Sequence, residues 1–299
     1  MGVLIARPEA NLWARRAWAV VCLLRPLNVV MIGLGVALGG VLAGGDGVLK
    51  GDPGFQLARL VGSAMLVGAG ANTLNDVFDL RIDLRNRPHR PLPSGLVSVR
   101  MARGIGVAGS GLGVVLAATV SLGHLALALG VVGLLMIYNV SLKRIAFVGN
   151  LIVALVLGLA LAYGGWEIGP LGPVLVGAVF AFLTTLAREI AKDVEDAEGD
   201  AMVGARTLPV IYGPDAALRI VLVILIVTLL LTPLPYFLLD FVGLYLVVIL
   251  VTDALLLRAC WLLSAAHPEV HARRISNVLK SAMATGMVAL ALGALVQLG

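Results

Sequence analysis

Residues 70–95 read GANTLNDVFDLRIDLRNRPHRPLPSG, an apolar run that becomes densely charged within a few residues. Asn72, Asn75, Asp76, Asp79 and Asp83 supply oxygen donors, and Arg81, Arg85, Arg87, His89 and Arg90 crowd in among and after them. A helix turns about 100° per residue, so Asn72, Asp76, Asp79 and Asp83 fall within an arc of roughly 60°, on one face across three turns. Carboxylates stacked in this way repel one another until a cation joins them. A hard cation such as Mg²⁺ takes one or two carboxylates together with the phosphate oxygens of a substrate. Arginines hold such oxygens bidentately. On the repulsion argument, deleting one carboxylate raises the thermal stability of the metal-free protein. Taken alone, the stretch also reads more plainly as a solvated helix end.

The second half of the chain repeats the pattern. REIAKDVEDAEGD places Glu189, Asp193, Asp196 and Asp200 at the spacing of Asn72, Asp76, Asp79 and Asp83, again a narrow helical stripe, with Lys192 beside it. Of the 17 acidic residues, nine lie in these two short segments, which random surface charge does not explain.

The rest of the chain is strongly apolar. Of 299 residues, 60% are hydrophobic and 13% charged, and mean hydropathy is +1.02, too high for an ordinary soluble domain. Apolar runs recur from about Ala19 onward, so the expected fold is all-α: a single polytopic transmembrane domain over 1–299. The spacing predicts spans over 19–43, 55–80, 103–121, 124–140, 146–163, 171–192, 216–232, 235–257 and 277–298, about nine in all. Residues 1–18, with Arg7, Arg15, Arg16, Trp13 and Trp18, read as an interfacial helix at the lipid headgroups. Cys22 and Cys260 are isolated and fit neither a disulfide framework nor a zinc site. The net charge of +5 comes from basic loops and is no sign of nucleic-acid binding.

Nine spans alternate sides, and the basic residues test that count. Twenty of the 22 fall on the side of the N-terminus, leaving only Lys50 and Arg59 opposite. The positive-inside rule then places the N-terminus and both acidic stripes at the cytoplasmic face of the cell membrane and the C-terminus outside. The stripes sit on the second and sixth spans, four apart, which suggests two four-helix units plus a ninth helix. With an even number of spans in each unit, both stripes reach a central cavity from the same face.

These residues also carry a family resemblance. Asn75-Asp76-x-x-Asp79-x-x-x-Asp83 resembles the NDxxDxxxD motif of the UbiA superfamily of intramembrane prenyltransferases. Asp196-x-x-x-Asp200, preceded by Lys192, resembles that family's second motif, and YNVSLKR (138–144) its Tyr/Lys loop. RPLN (25–28) and RPHRPLPSGLVS (87–98) are most similar to one branch, the archaeal digeranylgeranylglyceryl phosphate synthases.

The resemblance implies a reaction: Mg²⁺-dependent transfer of a prenyl group from an isoprenyl diphosphate to a lipid-like acceptor within the membrane lipid. Asp76, Asp79, Asp83, Asp193, Asp196 and Asp200 are the expected metal ligands and catalytic carboxylates, with Asn72 assisting. Asn75, Arg87, Lys143, Arg144 and Lys192 are the candidates for the diphosphate. For a phosphorylated acceptor, the candidates are Arg25, Asn28, Arg81 and Arg90, with Tyr138, Asn139 and Ser141 nearby. Tyr138 could shield a carbocation through its ring face, or simply pack, and Asn139 and Ser141 could simply cap a loop. An aromatic acceptor remains an alternative, as do a cation transporter and a lipid-binding scaffold with structural metals. A transporter should carry its acids near mid-span, whereas these lie at span ends beside arginines.

Overall fold

A computed structural model describes residues 12–202 and 204–296. Arg7 and the first part of the expected interfacial helix lie outside the described residues. The chain runs α1 (Leu12–Leu24), α2 (Pro26–Gly44), α3 (Gly51–Phe78), α4 (Leu80–Asn86), α5 (Val99–Ala118), α6 (Leu122–Val140), α7 (Val148–Gly165), α8 (Leu171–Met202), α9 (Leu208–Tyr212), α10 (Pro214–Leu231), α11 (Leu234–Leu238), α12 (Gly243–Leu263) and α13 (Ala272–Val296). Among the described residues nine helices are long and apolar enough to cross a membrane: α2, α3, α5, α6, α7, α8, α10, α12 and α13, some lengthened by an adjoining short helix. The chain is an integral membrane protein. A helix satisfies its own backbone polar groups in lipid.

Three helix boundaries differ most from the hydropathy reading. The first span begins at Pro26, not Ala19, because Arg25 adopts a left-handed φ of 54° and splits α1 from α2. The residue before a proline is disfavoured in the right-handed α region, and a proline suits the first turn of a helix. The sixth span continues ten residues past 192, so the second acidic stripe is wholly helical. At 32 residues α8 is about 48 Å long, well beyond a hydrocarbon core of about 30 Å, and its charged end projects past that core. The eighth span starts at Gly243 instead of 235, since Asp240, at φ 52°, ends the apolar run begun by α11.

The neighbour order supports two four-helix units. In the first, α2 packs on α3, α3 on α5 and α5 on α6; in the second, α7 packs on α8, α8 on α10 and α10 on α12. Helix α13 closes the set against α12, α8 and α2. The units meet where α2 crosses α7 at backbone distance. A Cβ on Gly39 would overlap the carbonyl of Leu161, and one on Gly164 would overlap the carbonyl of Val36. Small residues let membrane helices approach this closely, and dispersion then replaces the hydrophobic drive that lipid does not supply.

At the motif-bearing end two loops are linked: Ile145 and Arg206 form an isolated parallel backbone bridge. A small apolar cluster of Ala19, Leu23, Leu92, Val97 and Ala102 fastens α1 to the 91–97 loop and the start of α5. Trp13 and Trp18 on α1 are 80% and 65% exposed, as aromatic residues at the headgroup level are. Cysteines placed at Ser94 and Glu198, after replacement of Cys22 and Cys260, should therefore label from one side of a sealed vesicle and a cysteine at Lys50 from the other. Labelling of Ser94 and Glu198 from opposite sides would contradict this architecture.

Candidate active site

The charged side chains gather at one end of the bundle. Helix α3 stops at Phe78, and Asp79 (φ −88°, ψ 0°) turns the chain before α4. Hydrogen bonds from Asp79 N to Asn75 O and from Asp83 N to Asp79 O, each 2.9 Å, carry the helical register through this break. Asp76 and Asp83 are buried and share Arg90, whose Nη1 lies 3.6 Å from Asp76 Oδ1 and 2.6 Å from Asp83 Oδ2. Asp76 also pairs with Arg25 at the α1–α2 break. Asp79 pairs with Lys143 on the short 3₁₀ turn after α6.

The second stripe stays on α8. Asp193 Oδ2 accepts a hydrogen bond from Asn150 Nδ2 at 2.7 Å. Arg87 Nη2 donates to both oxygens of Asp196, at 2.8 and 3.0 Å, and Lys192 Nζ lies 3.4 Å from the same carboxylate. Asp200 follows one turn later, half-buried. Arg87, just past the first motif, therefore reaches across to the second motif, so both acidic stripes belong to one site.

The remaining candidates divide. Asn75 donates from Nδ2 to Asn139 Oδ1 at 2.8 Å and receives Arg25 Nη2 at 3.4 Å, which ties the first motif to the end of α6. Asn72 points to the carbonyl of Leu24 at 3.5 Å, at the end of α1. Tyr138 is half-buried within electrostatic reach of Glu189, Asp193 and Asp79, between the two motifs. Arg25, Asn28 and Arg90 line a cavity of about 560 Å³ between α1, α2 and the 89–96 loop. Two acceptor candidates are not brought in: Arg81 is exposed with no ion pair among the described residues, and Ser141 bonds back to the Ile137 carbonyl at 3.1 Å. The side chain of Arg144 lies outside the described residues. Sequence reasoning missed Asn150, which has no charge and no motif to mark it. It also missed Arg188, whose Nη1 lies 2.5 Å from Glu189 Oε1.

The arrangement corrects the repulsion argument. Asp76, Asp79, Asp83 and Asp196 each face at least one base, so the metal-free stripe is compensated and is not a line of like charges. The donor set nonetheless suits a hard cation: carboxylates and carboxamides from α3, α4 and α8, all oxygen ligands. Among the described residues no three His, Cys, Asp or Glu side chains stand close enough to hold an ion by themselves. A Mg²⁺ held by one or two carboxylates and by substrate phosphates needs no such trio.

The family model described as the UbiA prenyltransferase family matches residues 30–283. This chain belongs to the UbiA prenyltransferase family. It is a membrane-embedded prenyltransferase. A digeranylgeranylglyceryl phosphate synthase of Methanopyrus kandleri is 40% identical over 269 residues, 89% of this chain and 96% of that protein. A solved structure described as giving structural and mechanistic insights into digeranylgeranylglyceryl phosphate synthase in membranes is 29% identical, with a TM-score of 0.76, and covers 94% of this chain and 99% of that one. A UbiA homologue from Archaeoglobus fulgidus bound to GPP and Mg²⁺ shares the fold at 22% identity and a TM-score of 0.66, over 91% of this chain and 99% of that one.

Compensated carboxylates make a specific prediction. Asp76→Ala should lower the thermal midpoint of the metal-free protein, because Arg25 loses its partner, at a cost of about 1–3 kcal/mol. A higher midpoint in a detergent-solubilised thermal melt would restore the repulsion argument.

Proposed function

We propose that this chain transfers a geranylgeranyl group from its diphosphate to the free hydroxyl of geranylgeranylglyceryl phosphate, forming the second ether bond of an archaeal lipid. The observation that carries this reading is the Arg87–Asp196 bridge, which makes one site of two acidic motifs beside a cavity rich in arginine. The charge difference between substrates fits that layout. An allylic diphosphate needs carboxylate-held metal and a few bases, whereas a phosphorylated acceptor needs cations of its own.

In this scheme Asp76, Asp79 and Asp83 from one half, and Asp193, Asp196 and Asp200 from the other, would hold Mg²⁺. When bound, Mg²⁺ neutralises the charge that grows on the departing diphosphate. Arg87, Lys143 and Lys192 exchange their carboxylate partners for phosphate oxygens and stabilise the same charge. Asn75 and Asn139 keep the first motif seated against α6 during that exchange. Tyr138, between the motifs, turns its ring toward the allylic carbon and steadies the carbocation. Apolar helix walls keep water from that carbon until the acceptor hydroxyl attacks it. Arg25, Asn28 and Arg90 orient the acceptor from the cavity side. The site faces the cytoplasm, on the side favoured by basic loops, and the C-terminus lies outside.

Turnover in liposomes tests the reading. With geranylgeranyl diphosphate and Mg²⁺, the protein should prenylate geranylgeranylglyceryl phosphate in preference to a 4-hydroxybenzoate-type phenol, and a chelator should stop it. Asp196→Ala should lower kcat by at least about 100-fold, the order expected for losing an electrostatic stabiliser of the transition state. Preference for the phenol would replace the acceptor assignment, and near-normal turnover of Asp196→Ala would remove the second motif from the chemistry.

A further inference from the structure

The cavity beside Asp76 contains a cation that the reaction scheme leaves without a role. Lys280 sits on α13, about 12 Å along the axis from its first residue, and lines the cavity together with Arg15, Arg25 and Arg90. Among the described residues Lys280 forms no ion pair and no side-chain hydrogen bond. The charges that face it from α8 are Arg188 and Glu189, and these two are already joined to each other at 2.5 Å. An ammonium ion inside a membrane bundle is costly unless it meets an opposite charge or water. A lysine facing lipid would run its stem toward the interface; this one faces a cavity.

The charge balance of that cavity is one-sided. Arg15, Arg25, Arg90 and Lys280 line it, and Asp76 is the only carboxylate of either motif that does. Arg25 and Arg90 are already paired with Asp76 and Asp83, whereas Arg15 and Lys280 have no acidic partner among the described residues. The α8 carboxylates, Arg87 and Lys143 do not line this space. An anion held here lies beside the diphosphate site and outside it. Trp18, Leu27 and Leu96 give the same cavity an apolar wall, which suits a lipid that carries a phosphate monoester. The volume of about 560 Å³ is within the range of small-molecule sites.

We propose that Lys280, with Arg15 of the same cavity lining, binds the phosphate of the acceptor and determines the enzyme's specificity for a phosphorylated lipid alcohol. The proposal rests on the reaction assigned above. It adds the α13 face of the cavity to the site and gives α1 a substrate contact. Lys280 acts on binding, so its removal should appear in the KM for one substrate and not in the chemical step.

The test is steady-state kinetics of the full chain, wild type against Lys280→Ala, Lys280→Arg and Arg15→Ala, in nonionic detergent and in liposomes containing phosphatidylglycerol. Lys280→Ala should raise KM for geranylgeranylglyceryl phosphate by about ten- to a hundredfold, the range for losing a hydrogen bond to a charged group. KM for geranylgeranyl diphosphate and kcat at saturation should stay within about twofold. Lys280→Arg should recover most of the loss, and Arg15→Ala should show a smaller effect of the same kind. Equal increases in both KM values, a loss confined to kcat, or no change would overturn the proposal. An effect seen only with phosphatidylglycerol present would also overturn it, since Lys280 would then meet bulk lipid headgroups. If Lys280→Ala does not fold, Lys280→Gln carries the same comparison. The wild-type row separates the two levels: no turnover of the phosphorylated acceptor overturns the reaction and the lysine's role together, whereas normal wild-type turnover with no selective defect removes only the lysine.

Discussion

The site depends on charge compensation in a poorly hydrated place. Six carboxylates cluster at the end of an apolar bundle, where charges interact more strongly than in water and unpaired ones are penalised. Four of the six, Asp76, Asp79, Asp83 and Asp196, are met by bases from other segments, while Asp193 accepts a hydrogen bond from Asn150. Arg25 comes from the α1–α2 break, Arg90 from the loop after α4, Lys143 from the turn after α6, and Arg87 crosses to α8. Such pairs contribute little net stability, because desolvation offsets attraction, but breaking one leaves an orphan charge. Their consequence is positional: they tie three segments, the α1–α2 break, the 87–90 stretch and the turn after α6, to carboxylates on or beside α3, α4 and α8. In the proposed reaction the same bases exchange these carboxylates for phosphate oxygens.

The apolar part of the fold makes this possible. The two halves approach at backbone distance where Gly39 meets Leu161 and Gly164 meets Val36, so α2 and α7 form a firm seam. Helix α8 packs on that seam and extends its acidic end beyond it. By contrast, α1 is held through a small cluster around Ala19 and Leu23 and through Arg25. A rigid seam beneath the motifs and a lightly attached helix beside the cavity suit a site that must align one substrate and admit another from the bilayer.

Much of this was legible in the sequence. Hydropathy alone indicated nine spans, and the matched acidic spacings marked the second and sixth as partners. What hydropathy cannot register is backbone geometry inside an apolar run. The left-handed Arg25 moved the first span by seven residues, and Asp240 moved the eighth by eight. Helical periodicity grouped Asp76, Asp79 and Asp83 but could not show that their partners differ, Arg25 and Arg90 for Asp76 and Asp83 and Lys143 for Asp79. Asn150 and Lys280 were illegible for another reason. One is neutral and outside any motif, and the other counted only as one more basic residue on the N-terminal side, until their tertiary neighbours were known.

The central claim is that Arg87 and Asp196 join the two acidic motifs into one site. A double-mutant cycle with Arg87→Ala and Asp196→Ala measures it, read as thermal stability in detergent without Mg²⁺ and again with Mg²⁺ and an unreactive diphosphate analogue. The account predicts a coupling of about 0.5–3 kcal/mol in the first condition, the range for residues in direct contact. It predicts a changed coupling in the second, where the arginine exchanges carboxylate for phosphate. Strictly additive losses in the first condition would mean that the motifs are not joined and that the shared site is wrong.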